Sequence, residues 1–430
     1  MSGEGQSGWD RYWFGEVSLV RLAVFRIVML AAALYAVWVF RTGVFQHADG
    51  LETSFLARSW NPIYVLEALG VPPPGPTAAR VVFAVLLGSI ALGIVGLFAR
   101  TACAVAAVLT FYWIGVHYSF GKPHHDCVAL MFGLLALPFG PVGGRLSVDS
   151  MLRRMRAARS SGAGYLAPPD AGAWAGLPLR LTQISAALGY FFAGATKLVL
   201  AGPGWADGYT LQAIMLEYKS AWSGVLADQV ALCALMSVGL LFVQVSFPLV
   251  FLTPLLRWFY VPMAVVFHLV AMQTMATGPF LTLWFTLVCF IPAERVPAWF
   301  DRTLAGGPAW RRIAVGAMLV AFAALTFDLY FAQVPVWLAA TLVPAALAVG
   351  LRLRGRAPED VRFDPDQPSA RRAVALLDAA DWAGRLRFVE APGAADGLTA
   401  CGVSGRAAWR RAAARTPFLL PLAFLPLGSG

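Results

Sequence analysis

Apolar residues fall along this chain in long unbroken runs, and the positions between the runs are rich in arginine, glycine and proline. Runs at 19–40, 81–98, 102–120, 181–200, 230–252 and 258–275 have the length of membrane-crossing helices, which need about 20 apolar residues. Shorter runs at 127–139, 280–291, 313–327 and 336–351 predict further helices that span only with help from flanking residues. The 127–139 helix is expected to start within residues 124–126, with Asp126 at its positive N-terminal end. Residues 41–80, broken by Asn61-Pro62 and by the prolines at 72–76, read as an extramembrane loop carrying a short interfacial helix at 64–69. The pattern predicts an all-α polytopic membrane bundle of about eight to ten spans.

Arginine and lysine between the runs orient the bundle. With the N-terminus inside, the loops around Arg100, 145–180, Arg257 and 294–312 and the tail from Arg352 are cytoplasmic. The acidic stretch after Lys197, residues 276–278 and Asp328 then lie outside, as the positive-inside rule requires. The expected location is the plasma (inner) membrane, multi-pass, with both termini cytoplasmic.

Composition excludes a soluble class. The chain is 59% apolar and 13% charged, with a mean hydropathy of +0.68, whereas soluble domains are about 25% charged. A net charge of +10 in a soluble protein would suggest nucleic acid. Here the arginines act as topology signals, and no nucleic-acid partner is expected. The five cysteines form no CxxC pair, and four lie in apolar runs as small packing residues.

The chain divides into a membrane part, 1–350, and a tail, 351–430. In the tail, 369–380 reads as a helix, 385–389 and 399–403 as strands and 406–415 as a basic helix. The apolar stretch 417–427, interrupted by Pro421 and Pro426, reads as lying on the membrane.

Few polar residues enter the apolar runs. Arg21 is near a helix end and can snorkel, whereas Arg26 is deeper and calls for an interior partner. Lys197 ends the 181–200 run, before a Gly-Pro-Gly break and Trp205-Ala-Asp-Gly-Tyr209. It reads either as a snorkelling anchor or as a desolvated base, since an ammonium in a low-dielectric site gives up its proton readily. His268 lies in the middle of the 258–275 run, where it is either a proton carrier or a neutral hydrogen-bonding core residue. His124, His125 and Asp126 form a polar turn between two runs. Adjacent histidines on a helix point about 100° apart, so they do not chelate one metal, and no metal is expected. Gln183, Gln244 and Gln273 suit bonds between helices; Trp205, Tyr209 and Trp222 suit an aromatic belt. The predicted topology brings Lys197, the 124–126 turn and His268 to the outer half of the bundle. No Walker A loop, dinucleotide fingerprint, HExxH or nucleophile elbow occurs, and no inverted repeat suggests a transporter.

Four segments carry a resemblance. Ser18-Leu-Val-Arg-Leu-Ala-Val-Phe-Arg-Ile27, Lys122-Pro-His-His-Asp126, Phe192-Ala-Gly-Ala-Thr-Lys-Leu198 with Trp205-Ala-Asp-Gly-Tyr209, and Phe267-His268 followed by Gln273 together resemble the HTTM family, whose membrane domain is shared with vitamin K-dependent gamma-carboxylase. The resemblance covers roughly residues 15–300. It implies Lys197, His125 and His268 as catalytic residues, with Lys197 the base acting on a reduced menaquinone or vitamin K-like quinol. It implies His124, Asp126, Trp205, Tyr209 and Gln273 as substrate contacts, and carboxylase- or epoxidase-like lyase chemistry. The implied partners are a membrane quinone and a protein or peptide at the outer face. The tail is smaller than the soluble region with which gamma-carboxylase binds its protein substrate, so the likeness is to the membrane domain. In the tail, Arg362-Phe-Asp-Pro-Asp-Gln-Pro-Ser-Ala-Arg-Arg372 with Asp381-Trp-Ala-Gly-Arg-Leu-Arg-Phe388 is similar to the DCC family of thioredoxin-like thiol-disulfide oxidoreductases. Gln367 and Ala370 stand where that family has its two cysteines, so the tail resembles a degenerate α/β domain without thiol chemistry. The alternative to an enzyme is a membrane scaffold, or a helper in envelope maturation or immunity, whose polar residues only stabilise the bundle.

Overall fold

A computed structural model describes residues 7–50, 59–121, 126–160, 169–218, 223–275, 281–296, 359–381, 385–394, 397–400, 402–414 and 416. A short helix, α1 (Gly8–Phe14), is capped by the Ser7 hydroxyl accepting the Asp10 N–H. Strand β1 (Val17–Ser18) then leads into α2 (Leu19–Gly50). The following helices are α3 (Tyr64–Ala68), α4 (Pro76–Val95), α5 (Ala99–Tyr118), α6 (Val128–Ala136) and α7 (Val148–Ser160). Strand β2 (Ala171–Gly172), antiparallel to β1, precedes α8 (Gly176–Ala201). Next come α9 (Tyr209–Tyr218), α10 (Ser223–Ala227), α11 (Val230–Ser246), α12 (Pro254–Met275) and α13 (Leu281–Thr286).

Six segments are long and apolar enough to cross a membrane: α2, α4, α5, α8 with the 3-10 turn after it, α11 with the turn after it, and the first 18 residues of α12. The chain is a helical, multi-pass membrane protein by this measure. Residues 128–139 and 281–290 form shorter apolar segments. The expected spans at 313–327 and 336–351, and Trp222, lie outside the described residues.

Two expectations need correction. Residues 41–50 and 76–80 of the expected loop are helix: Val44 and Ala48 continue the buried face of α2 past Arg41, and Pro76 at the first helical position opens α4. Arg41 is no boundary: its guanidinium lies 3.8 Å from the Trp38 ring centroid and donates to the Trp38 carbonyl. Helix α6 begins at Val128, beyond the expected 124–126, because the Asp126 carboxylate and carbonyl are engaged in other bonds.

One end of the bundle is tied by polar contacts. Gly96 closes α4 with φ +72°, its N–H donating to the Leu92 carbonyl. The Asp149 carboxylate accepts the N–H groups of Phe98 and Ala99, satisfying donors that a helix start leaves open. Arg26, fully buried, donates to the carbonyls of Val142, Leu146 and Ile94. It therefore holds the loop after α6 against the end of α4. Arg21, near the helix end, forms a bidentate ion pair with Glu294 at 2.6 and 3.1 Å.

The tail has its own apolar core of Val361, Phe363, Val374, Leu377, Ala408 and Ala412. Strand β3 (Glu359–Phe363), helix α14 (Pro368–Ala380) and strand β4 (Leu386–Glu390) form a parallel βαβ unit. Strands β5 (Leu398–Ala400) and β6 (Val403–Ser404) add an antiparallel hairpin, giving the order β4-β3-β5-β6, and α15 (Gly405–Ala413) packs on it. The two expected helices and the strand at 385–389 are present within a residue or two; the expected strand at 399–403 is instead the hairpin β5–β6, turned at Gly402 with φ +76°, and β3 is additional. An Arg154–Asp378 ion pair joins α7 to α14.

Candidate functional site

Helix α8 carries a stripe at three- and four-residue spacing: Leu181, Ser185, Leu188, Phe192 and Thr196. Such spacing puts side chains on one helix face. This stripe does not meet another helix squarely. With Val128, Phe132, Leu135 and Phe139 beside it, it walls a groove of about 970 Å³. That is at the upper end of small-molecule sites, about 300–1,000 Å³. The groove follows α8 from Leu181 to Ala201, about 30 Å at 1.5 Å per residue, close to the thickness of a bilayer's hydrocarbon core. Phe132, Phe192 and Phe139 are all more than half exposed along it, so its open side faces where lipid would be.

Lys197 lies at one end of the groove, and Trp205 lines the same end. The ammonium donates to the Ala193 carbonyl at 2.9 Å and to Gln244 Oε1 on α11 at 3.2 Å. It lies 5.3 Å from the Trp205 ring centroid, within cation–π range. No carboxylate pairs with it among the described residues. Lys197 is thus only partly exposed and held by neutral partners. The close approach of α11 has a visible cause: a Cβ at Gly194 would lie 2.8 Å from Gln244 Cβ. Gln244 was legible only as a bonder between helices; its pairing with Lys197 spans 47 residues of chain.

His268 is placed differently. It is 1% exposed on α12, and its Nε2 shares a 2.6 Å hydrogen bond with the Tyr190 hydroxyl. Tyr190, also on α8, stacks on Phe247 with ring centroids 4.2 Å apart. Tyr190 and Lys197 are seven residues apart, about 10.5 Å along the helix and within 20° of the same face. His268 and Tyr190 therefore belong to the buried core between α8 and α12, and neither lines the groove.

The other expected residues separate. Asp126 is 3% exposed and structural: its carboxylate accepts from the Tyr118 hydroxyl and from the Cys127 N–H, and its carbonyl accepts from Thr282. Tyr209 is 62% exposed and does not line the groove. Its N–H donates to Asp207 Oδ1, which fixes the turn after Gly208. His124 and His125 lie outside the described residues, as does the side chain of Gln273. Gln183 bonds the Cys289 carbonyl between helices, as expected of it. Among the described residues no group of three His, Cys, Asp or Glu could hold a metal ion. No family model, curated protein or solved structure matches this chain.

Proposed function

We propose that this chain takes a quinone-like lipid laterally into the groove between α6 and α8, and that Lys197 acts there as a base on the bound quinol. The observation that carries the reading is the pairing of a long apolar groove with a single cation at its end, held by an amide and an indole rather than by a carboxylate. A prenyl tail suits the phenylalanine-lined wall, and a hydroxyl-bearing ring suits the end at Lys197 and Trp205. An uncharged lysine there accepts one quinol proton; the quinolate then reacts with dioxygen to give the epoxide and water, so quinol plus O₂ balances epoxide plus H₂O. The strong base formed on the way can abstract a weakly acidic carbon-bound proton, which is what carboxylase-like chemistry needs. Tyr190, two turns before Lys197 on α8, and His268 on α12 form a buried pair that ties the two helices together. The resemblance to HTTM membrane domains supports the same assignment of Lys197.

The tail fits the same family picture at its own level. A parallel βαβ unit followed by an antiparallel hairpin, in the order β4-β3-β5-β6, supports reading the tail as a small thioredoxin-like domain. Gln367 precedes α14 and Ala370 is buried in its first turn, so the positions that would hold thiols hold none. We read the tail as a docking or stabilising domain.

The test is turnover. Protein purified with lipid is given reduced prenylated naphthoquinone and oxygen, and the epoxide is measured for the wild type and Lys197→Ala. Loss of a general base lowers the rate about 10²–10⁴-fold. Equal epoxide from both would remove Lys197 from the chemistry. No turnover and no extractable quinone would favour the scaffold reading.

A further inference from the structure

A second cavity, about 570 Å³, opens where the groove ends at Phe139. It lies between the start of α5, the loop after α6 and the first turns of α7, at the opposite end of the groove from Lys197. Two guanidiniums line it, Arg100 and Arg153. Each donates to a backbone carbonyl: Arg100 Nε to Pro138 at 2.7 Å and Arg153 to Gly143 at 2.6 Å. Neither pairs with a carboxylate among the described residues. A guanidinium has five N–H donors, so each keeps several for a ligand. Asp149 is the one carboxylate in the lining, and its two oxygens are taken by the N–H groups of Phe98 and Ala99. Arg26, buried behind Gly96, adds a third cation to the same region.

The rest of the lining says which kind of anion fits. Phe139 and Trp174 are each at least half exposed at the rim, the arrangement of aromatic residues at a membrane–water boundary. Phe139 belongs to both cavities, so a charged head in this cavity is continuous with an apolar channel along α6 and α8. A soluble anion would use only the arginines; a lipid uses both parts. The arginine-rich end is also the side that the positive-inside rule assigns to the cytoplasm, whose leaflet carries the anionic lipids.

We infer that the cavity lined by Arg100, Arg153 and Trp174 binds the phosphate headgroup of an anionic phospholipid, with an acyl chain passing Phe139 into the groove. Arg100 and Arg153 contact the phosphate oxygens as charge-assisted donors, and Trp174 covers the glycerol. The headgroup site is separate from Lys197 and does not depend on quinol chemistry, while the acyl chain enters the same groove as the proposed quinone tail at its Phe139 end.

The experiment uses the full chain in phosphatidylcholine nanodiscs with a titrated fraction of phosphatidylglycerol, and native mass spectrometry of retained lipid after release into detergent. Each arginine near an anionic surface contributes roughly fivefold, so Arg100→Gln with Arg153→Gln is expected to retain phosphatidylglycerol about 25-fold more weakly. Arg80→Gln, at the far end of the bundle, is expected to match the wild type. Because both arginines also bond loop carbonyls, Arg100→Lys with Arg153→Lys is the companion variant: it keeps the charge, and it should keep most of the preference over phosphatidylcholine. Equal retention by the glutamine variant and the wild type overturns the site. Displacement of phosphatidylglycerol by inorganic phosphate at matched concentration overturns the lipid assignment in favour of a soluble phosphate ion. Arginine-dependent retention that phosphate does not displace supports it.

Discussion

Replacing Arg26 with Met should unfasten one end of the bundle. Arg26 is fully buried, and its guanidinium donates to the carbonyls of Val142 and Leu146 and, at 3.4 Å, to that of Ile94. Met fills similar volume but donates nothing. Leaving a buried acceptor unsatisfied costs about 1–3 kcal/mol; two close carbonyls therefore cost about 2–6 kcal/mol, with the long third contact counted as nothing. Releasing the buried charge returns part of this, because desolvating a guanidinium is itself unfavourable. The expected net loss is about 3 kcal/mol. Arg26→Lys keeps the charge but, as a point donor on a shorter arm, holds fewer of the carbonyls, so about half that loss is expected. The assay is reversible unfolding in mixed micelles with rising SDS fraction, followed by tryptophan fluorescence. Arg80→Met is the comparison, since the Arg80–Asp49 pair is exposed and such pairs contribute about 0–1 kcal/mol. An Arg26→Met protein as stable as the wild type, or more stable, would refute the claim that the guanidinium organises this end.

Other consequences follow from the same contacts. Tyr190→Phe removes the hydroxyl bonded to buried His268 and should cost about 1–3 kcal/mol in the same assay; no change would mean the pair is not formed. Gly96→Ala forces a side chain onto φ +72° and puts a Cβ 2.4 Å from that of Ser147. The left-handed conformation alone costs about 1–2 kcal/mol, so unfolding should shift by more than that, and a neutral result would contradict the αL cap. Arg154→Asp should free the tail from α7 and speed limited proteolysis of α14, while Arg154→Asp with Asp378→Arg should restore protection; the coupling expected for contacting charges is about 0.5–3 kcal/mol. Gln244→Leu leaves the groove's shape but removes one of the acceptors holding the Lys197 ammonium, so quinol turnover should fall less than in Lys197→Ala while its pH profile moves; an unchanged profile would detach Gln244 from the site.

The spans were legible because run length is a one-dimensional property, and six of the runs became long helices. Boundaries were less so. Arg41 looks like a helix end, yet its guanidinium lies over the Trp38 ring and the buried stripe resumes at Val44. The tail's α14 and β4 are readable from short-range pattern, whereas β3 is not, because its identity depends on pairing with Leu386–Glu390 and Leu398–Ala400 much further along the chain. The site shows the same division. Lys197 and Trp205 stood out as a cation and an aromatic beside a helix break. Gln244 did not, because its role is set by how closely Gly194 lets α11 approach. Asp126 stands out in the sequence by its charge, but the Tyr118 hydroxyl and Thr282 that occupy it come from other segments. The groove itself had a signal, the 181-185-188-192-196 stripe, which reads in sequence as an ordinary buried face.

The most direct measurement is where a quinone binds. A photoreactive prenylated naphthoquinone, irradiated with the protein in nanodiscs and mapped by peptide mass spectrometry, should label residues within 128–139 and 181–205, with saturation and with competition by unlabelled quinone. Lys197→Ala should weaken labelling at the 192–205 end more than along the wall. Labelling spread evenly over the lipid-facing helices, or saturable labelling elsewhere in the bundle, would contradict the groove as the quinone site.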